Sequence, residues 1–261
     1  MAKWDYHQID CDAIDAARVR SNGDLFNLVA IASFIEITSD LYEKNLVDFY
    51  EGDTDLTAWL RDVWEPEEVQ HGRALRRYIS AVWPEFDWEK AYAGFRDEYG
   101  ALCTIEAFQP TRAREMVARM VVETGTSTFY KALRAYAEDF GEPVLARIAA
   151  NISKDEVHHF EQFEAGFRRH NETEKLSRAD ITKIILTRLR EASDEDIRIA
   201  LKHIRPGEPF EAMQQWMKGY AKMYYPYTMA VKMLMRPLRL NPLLESAAAA
   251  SLRGGLKVFG I

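Results

Sequence analysis

The sequence contains one pattern of potential metal ligands twice, and this repeat restricts the possible folds more than any other feature. Two Glu-x-x-His pairs occur, and each is preceded by a further glutamate, 32 residues earlier in the first case and 33 in the second. Such regular spacing indicates one helical hairpin used twice. The residues concerned are Glu36, Glu68, His71, Glu123, Glu156 and His159.

The chemistry of this pattern indicates a pair of metal ions. On a helix, side chains at positions i and i+3 are neighbours, so a glutamate and a histidine with this spacing can bind one ion together. Four carboxylates inside a helical bundle would repel one another, whereas two divalent cations would cancel their charge. The pattern therefore predicts two iron ions as cofactor. Manganese is an alternative because the ligand set suits both metals.

Apolar residues recur with helical periodicity, and the sequence lacks convincing strand alternation, so we predict an all-α fold. Four long helices form the predicted bundle, and a shorter crossover helix joins the second to the third. Additional helices are expected near the C-terminus. The predicted ranges are 24–50, 56–82, 88–102 (crossover), 111–140 and 144–170 for the bundle, then 178–191, 195–203 and 211–234.

The predicted helices divide the chain into three regions: an N-terminal arm at 1–23, the bundle at 24–170 and a C-terminal helical extension at 171–261.

Two acids directly precede ligand glutamates and are expected to orient the histidines, since ligating imidazoles usually donate their second N–H to a carboxylate. We predict that Asp155 reaches His71 and that Glu67 reaches His159.

Bulk properties exclude several classes of protein. The net charge is −7 and the body of the chain is acidic, which argues against nucleic-acid binding. The N-terminal sequence does not resemble a secretory signal, and no uncharged apolar run approaches the length of a membrane span. Two isolated cysteines, Cys11 and Cys103, do not make a disulfide framework. A reducing cytoplasm is the expected location.

With these residues identified, the chain resembles the soluble acyl-carrier-protein desaturases of the ferritin-like di-iron superfamily over about residues 25–170. The motifs EEVQHG, at residues 67–72, and DEVHH, at residues 155–159, carry the resemblance. The sequence ETGT places Thr126 where these desaturases have a threonine implicated in oxygen handling. Leu75 replaces the radical tyrosine of ribonucleotide reductase small subunits, which disfavours that class.

The resemblance implies a ferritin-like fold and an oxygen-dependent desaturase of fatty-acyl chains held on acyl carrier protein or coenzyme A. It further implies O2 as a substrate, a ferredoxin-like electron donor and a homodimer. A di-iron oxygenase acting on another small substrate, as a hydroxylase or N-oxygenase, remains an alternative. A non-catalytic ferritin-like iron-binding protein is a second alternative.

Two basic features lie outside the repeated pattern. Arg73, Arg76 and Arg77 follow the first motif, and we interpret them as a solvated face or as a docking site for an acidic carrier protein or a coenzyme A phosphate. From Arg205 onward the chain is basic, and six methionines fall between positions 213 and 235. This C-terminal region is interpreted as a lid, a dimer surface, a peripheral membrane contact or ordinary packing on the bundle.

Overall fold

A computed structural model describes residues 4–104, 108–191 and 195–240. These described residues form twelve α-helices and no β-strand, which confirms the predicted all-α class. In chain order the helices are α1 (Ala16–Val19), α2 (Gly23–Ile37), α3 (Asp40–Phe49), α4 (Thr54–Trp59), α5 (Glu65–Val82), α6 (Trp88–Gly100), α7 (Arg112–Phe140), α8 (Pro143–Glu174), α9 (Arg178–Glu191), α10 (Glu195–Ile204), α11 (Phe210–Tyr224) and α12 (Tyr227–Met235).

The first predicted long helix, 24–50, is divided into α2 and α3. Thr38 ends α2, and its side-chain hydroxyl donates a hydrogen bond to the Phe34 carbonyl at 2.6 Å. Ser39 follows and precedes the first residue of α3. Hydroxyl side chains of this kind compete with the helical hydrogen-bond pattern, which explains a break where the apolar periodicity continues on both sides.

The second predicted helix, 56–82, is helical throughout but contains a π-helical turn. This turn covers Leu60–Trp64, between α4 and α5. Pro66 follows this turn, and because proline has no N–H, the regular α-helical hydrogen-bond pattern cannot continue unchanged through it.

The predicted C-terminal helix 211–234 is two helices, α11 and α12. Pro226 separates them, because proline lacks an N–H and restricts the backbone of the preceding residue. The last part of the predicted C-terminal extension, residues 241–261, lies outside the described residues, and so does part of the basic region assigned to it.

The chain divides into two compact units. The first comprises Met1–Ala107, Ala137–Ile148 and Ser193–Trp216. Within it α2 packs along α5, and α10 packs on α2 and α6. Eleven of the fifteen residues of α2 are buried, so this helix forms the centre of the unit. The short 3₁₀ turn Tyr6–Gln8 of the N-terminal arm contacts the outer side of α5.

The second unit comprises Phe108–Tyr136, Ala149–Ala192 and Met217–Ile261. Its core includes Phe160, Phe163 and Phe167, which are buried along one face of α8. Arg236, directly after α12, lies over the Phe160 ring and forms an ion pair with Glu164. The chain that follows α12 is thereby fixed to α8.

One stretch, Gly23–Phe49, is long and apolar enough to cross a membrane by length and composition alone. Its mean hydropathy is 1.3, but 72% of the apolar window is buried inside the structure. Burial of this kind is what the central helix of a folded domain shows.

Candidate metal centre

All six residues of the repeated pattern are buried. None of the six residues exposes more than 8% of its surface, and His71 and Glu156 are essentially fully buried. A buried carboxylate stays charged only beside a cation, and a buried imidazole needs a hydrogen-bond partner or a metal ion. The residues form two triads, one in each unit: Glu36, Glu68 and His71, and Glu123, Glu156 and His159.

The first triad joins the last turn of α2 to the first turns of α5. Glu36, Glu68 and His71 each offer one ligand atom, and these atoms lie within 4.8 Å of one another. The Nδ1 atom of His71 is 3.4 Å from Oε2 of Glu36. Glu68 lies three residues before His71 on α5, so the two side chains are neighbours on one face of the helix. Three potential ligands therefore converge on one point.

Close approach of the two helices sets this geometry. At Gly72 a Cβ atom would lie 2.6 Å from both the Cβ and the backbone nitrogen of Ile37, and 2.9 Å from the Ser33 carbonyl oxygen. Only glycine fits there, so the last residue of the EEVQHG motif allows α2 to lie directly against α5. The glycine thus brings Glu36 close to His71.

The second triad joins α7 to α8. The ligand atoms of Glu123, Glu156 and His159 also lie within 4.8 Å of one another. Nδ1 of His159 is 3.7 Å from Oε2 of Glu156 and 3.8 Å from Oε2 of Glu123. Across the same helix pair, Ser153 donates a hydrogen bond to the Ser127 carbonyl at 3.0 Å and fixes the register of the two helices.

Thr126 contacts this triad directly. Its hydroxyl donates a hydrogen bond to Oε2 of Glu156 at 2.8 Å and lies within hydrogen-bond distance of two carbonyls in its own helix. The side chain is partly exposed. Thr126 therefore holds one oxygen of a candidate ligand and places an exchangeable proton beside it.

Two neighbours of the first triad were not singled out by the sequence reasoning. The indole of Trp4 is stacked with the His71 imidazole, with ring centroids 6.2 Å apart and planes 6° apart. Trp88 donates its indole N–H to the buried hydroxyl of Ser33 at 3.0 Å, one turn before Glu36. Trp4 lies in the arm, which has no periodic pattern that could have indicated this contact.

The predicted supporting acids differ in environment. Asp155 is 4% exposed, and Glu67 is only partly buried. Burial of Asp155 fits a carboxylate that accepts a hydrogen bond, but the pairing of these two acids with His71 and His159 stays a prediction.

The composition of each triad fits a divalent metal ion. Each triad brings two carboxylates and one imidazole together in a buried site, and one divalent cation would balance the two negative charges. Carboxylate and imidazole ligands suit iron and manganese, whereas thiolates, which softer metals prefer, are absent from both triads. The described residues thus contain two buried clusters that are able to bind a pair of metal ions.

No protein-family model matches the chain, and no curated protein matches it. Two solved structures of an R2-like ligand-binding oxidase are similar to it, each a point mutant with an aerobically reconstituted Mn/Fe cofactor. The first is 17% identical, covers 94% of this chain and 89% of its own, and has a TM-score of 0.55. The second is 16% identical, covers 94% and 88%, and has a TM-score of 0.56. This likeness establishes a ferritin-like helical fold for the chain.

Proposed function

We propose that this protein is a di-metal, oxygen-dependent oxidoreductase whose metal ligands are Glu36, Glu68, His71, Glu123, Glu156 and His159. The observation that carries the proposal is the presence of two buried triads of identical composition. Structural roles do not require two carboxylates and an imidazole to converge twice in buried surroundings, because such clusters are costly without a cation.

Iron is the proposed metal, and manganese is the proposed substitute in one position. The Mn/Fe cofactor of the similar oxidases supports this choice. When bound, such a metal pair supplies the binding and reduction of dioxygen. The chain itself would hold the ions through its carboxylates and imidazoles, and Thr126 orients Glu156 by donating a hydrogen bond to its Oε2 atom.

We further propose an acyl chain, carried on acyl carrier protein or coenzyme A, as the substrate, and desaturation as the reaction. The two desaturase-like motifs and the position of Thr126 beside Glu156 support this finer assignment. The similar solved structures favour a second candidate, an oxidase acting on another small ligand. A cytoplasmic location, a ferredoxin-like electron donor, a homodimer and a membrane contact through the basic C-terminal region complete the proposal.

Metal content tests the proposal first. The wild type, purified after expression with iron or with iron and manganese, should contain about two metal ions per chain. The variants Glu68→Ala and Glu156→Ala should lose metal, whereas Glu172→Ala, which alters an exposed glutamate of α8, should not. A folded wild type without metal would overturn the proposal.

The reaction type is tested next. Acyl carrier protein or coenzyme A esters should stimulate oxygen consumption by the metal-loaded wild type. Formation of a double bond without incorporation of labelled oxygen supports desaturation, and incorporation of label supports an oxygenase. Oxygen consumption that no acyl substrate stimulates would exclude the acyl assignment while leaving the di-metal centre intact.

A further inference from the structure

The outer face of α5 carries a row of cations that the di-metal centre does not use. Arg73 and Arg77 of this row are exposed, and so is Ser80 one turn further along, while the residues between them that face the core are buried. The row therefore points away from the side of the helix that bears Glu68 and His71. Its spacing places successive side chains on one stripe of the helix.

The N-terminal arm provides the opposite wall of a cleft along this stripe. Tyr6 and His7, in the first 3₁₀ turn, have ring centroids 4.0 Å apart. The cleft has a volume of 310 Å³, at the lower end of the range for small-molecule sites, about 300–1,000 Å³. Among the described residues it is lined by Tyr6, His7, Arg73, Arg76, Arg77 and Ser80.

The charge of the cleft is concentrated and only partly compensated by nearby carboxylates. Arg76 is fixed by an ion pair with Glu89 and lies over the Trp88 ring at 4.5 Å. Arg73 counteracts the raised pKa of the Glu65 carboxyl, but neither Arg73 nor Arg77 forms an ion pair within 4 Å of a carboxylate in the described part of the chain. Within the described ranges, the one hydrogen bond of the Arg77 guanidinium goes to the Ile9 carbonyl, at 3.5 Å, which ties the arm to the helix and leaves most guanidinium donors available.

The side chains that line the cleft are suited to an anionic ligand. No carboxylate lines the cleft among the described residues, although the protein as a whole has a net charge of −7. Guanidinium groups bind phosphate oxygens in bidentate fashion, and a hydroxyl and an imidazole add further hydrogen-bond donors. The Tyr6 and His7 rings offer an aromatic surface on which a base can stack.

We propose that the cleft between the N-terminal arm and α5 is a binding site for a phosphate-bearing small molecule, held by Arg73 and Arg77. The site is separate from the proposed metal ligands and does not depend on the proposed reaction. A ligand there would connect Tyr6 and His7 to the helix that carries Glu68 and His71, so binding would also stabilise the arm.

Calorimetric titration of the full chain with inorganic pyrophosphate and with adenosine diphosphate tests the proposal. Wild type should bind pyrophosphate saturably with one site. Arg73→Gln/Arg77→Gln should bind at least about tenfold more weakly, because each lost guanidinium removes charge-assisted hydrogen bonds. Tighter binding of adenosine diphosphate than of pyrophosphate would assign a nucleotide, and equal binding would assign the phosphate group alone.

The matched control removes the same charge elsewhere. Lys183→Gln/Arg190→Gln alters two exposed cations of α9 and should bind pyrophosphate like wild type. Thermal melting and metal content of both double variants verify that they fold, and the single variant Arg73→Gln replaces the double variant if the latter does not. No saturable binding by wild type, or equal weakening in both double variants, would overturn the proposal.

Discussion

Gly72 shows how a single residue determines the position of a candidate metal ligand. Any Cβ atom there would lie within 2.6 Å of Ile37, including its backbone nitrogen, and a backbone atom cannot move aside as a flexible side chain can. We expect Gly72→Ala to separate α2 from α5 and to lower the free energy of unfolding by about 1–3 kcal/mol. The variant should also retain less metal, because Glu36 moves away from His71.

Urea unfolding and metal analysis check this prediction. Gly219→Ala is the control, since a Cβ atom at that position of α11 meets nothing within 4 Å. There alanine should stabilise the helix by up to about 1 kcal/mol through its higher helix propensity. Equal stability of Gly72→Ala and wild type would show that α2 and α5 can adjust without cost.

Thr126 is the second position where one side chain determines site geometry. Thr126→Val removes the hydroxyl that donates to Glu156 and keeps the shape of the residue. A hydrogen bond to a charged group contributes about 1.5–3 kcal/mol, so oxygen-dependent turnover should fall by at least about tenfold, and chelators should remove metal faster. Thr126→Ser should restore both properties because it keeps the hydroxyl.

Thr124→Val provides the matched control on the same helix. Its buried hydroxyl donates to the Met120 carbonyl at 2.7 Å, not to a candidate ligand. This variant should keep the turnover and the metal-release rate of wild type. Similar losses in both valine variants would mean that Thr126 acts through helix packing alone.

At the scale of the helices, periodicity predicted which segments are helical but not where they break. The range 178–191 agrees with α9 at both ends, and α6 ends two residues before its predicted limit. The break at Thr38 was not predicted, because the apolar pattern continues through it. It depends on hydroxyl bonding, which periodicity does not report.

For the candidate site, the sequence indicated the ligand positions but not all of the residues that surround them. Spacing alone identified the six residues that form the two triads, because a Glu-x-x-His pair needs only local helix geometry to converge. The resemblance to desaturases indicated Thr126. In contrast, the contact of Trp4 with His71 depends on how the arm folds back on α5, for which the sequence of the arm has no pattern.

The end of α7 allows a test of helix termination. Gly141 has a φ of 72°, and a Cβ atom there would lie 2.5 Å from the guanidinium of Arg18, which donates hydrogen bonds to the Phe140 and Gly141 carbonyls. We expect Gly141→Ala to introduce left-handed backbone strain and to displace Arg18. The combined cost should be about 2–3 kcal/mol.

Gly207→Ala separates the two effects. Gly207 also has a positive φ, 89°, but a Cβ atom there meets nothing within 4 Å. This variant should lose only the strain contribution, about 1 kcal/mol. Equal losses of unfolding free energy in urea for both variants would show that the Arg18 hydrogen bonds contribute nothing to stability.

For the molecule as a whole, buried phenols rather than exposed ion pairs should control stability in alkali. Burial is the largest cause of the raised pKa of Tyr78, with the nearby Glu142 carboxylate adding to it, and burial also raises the pKa of Tyr220 and Tyr225. Exposed ion pairs such as Arg20 with Glu85 are screened by solvent and contribute little. Both compact units contain at least one such tyrosine.

These tyrosines lead to a prediction with a definite sign. A phenol whose folded pKa is raised above its unfolded value of about 10 contributes full stability below that pH and loses it as the pH rises further. Each such tyrosine should lower the unfolding free energy by about 1.4 kcal/mol per pH unit above pH 10. Urea unfolding at a series of alkaline pH values should show this slope, and Tyr78→Phe should reduce it. Tyr6→Phe is the control for a hydroxyl lost from the arm.

Phenolate absorbance during an alkaline titration gives a second check. It should rise in two stages, the second coinciding with unfolding. A single stage completed in the folded protein, together with an unchanged slope in Tyr78→Phe, would show that the buried phenols ionise in place.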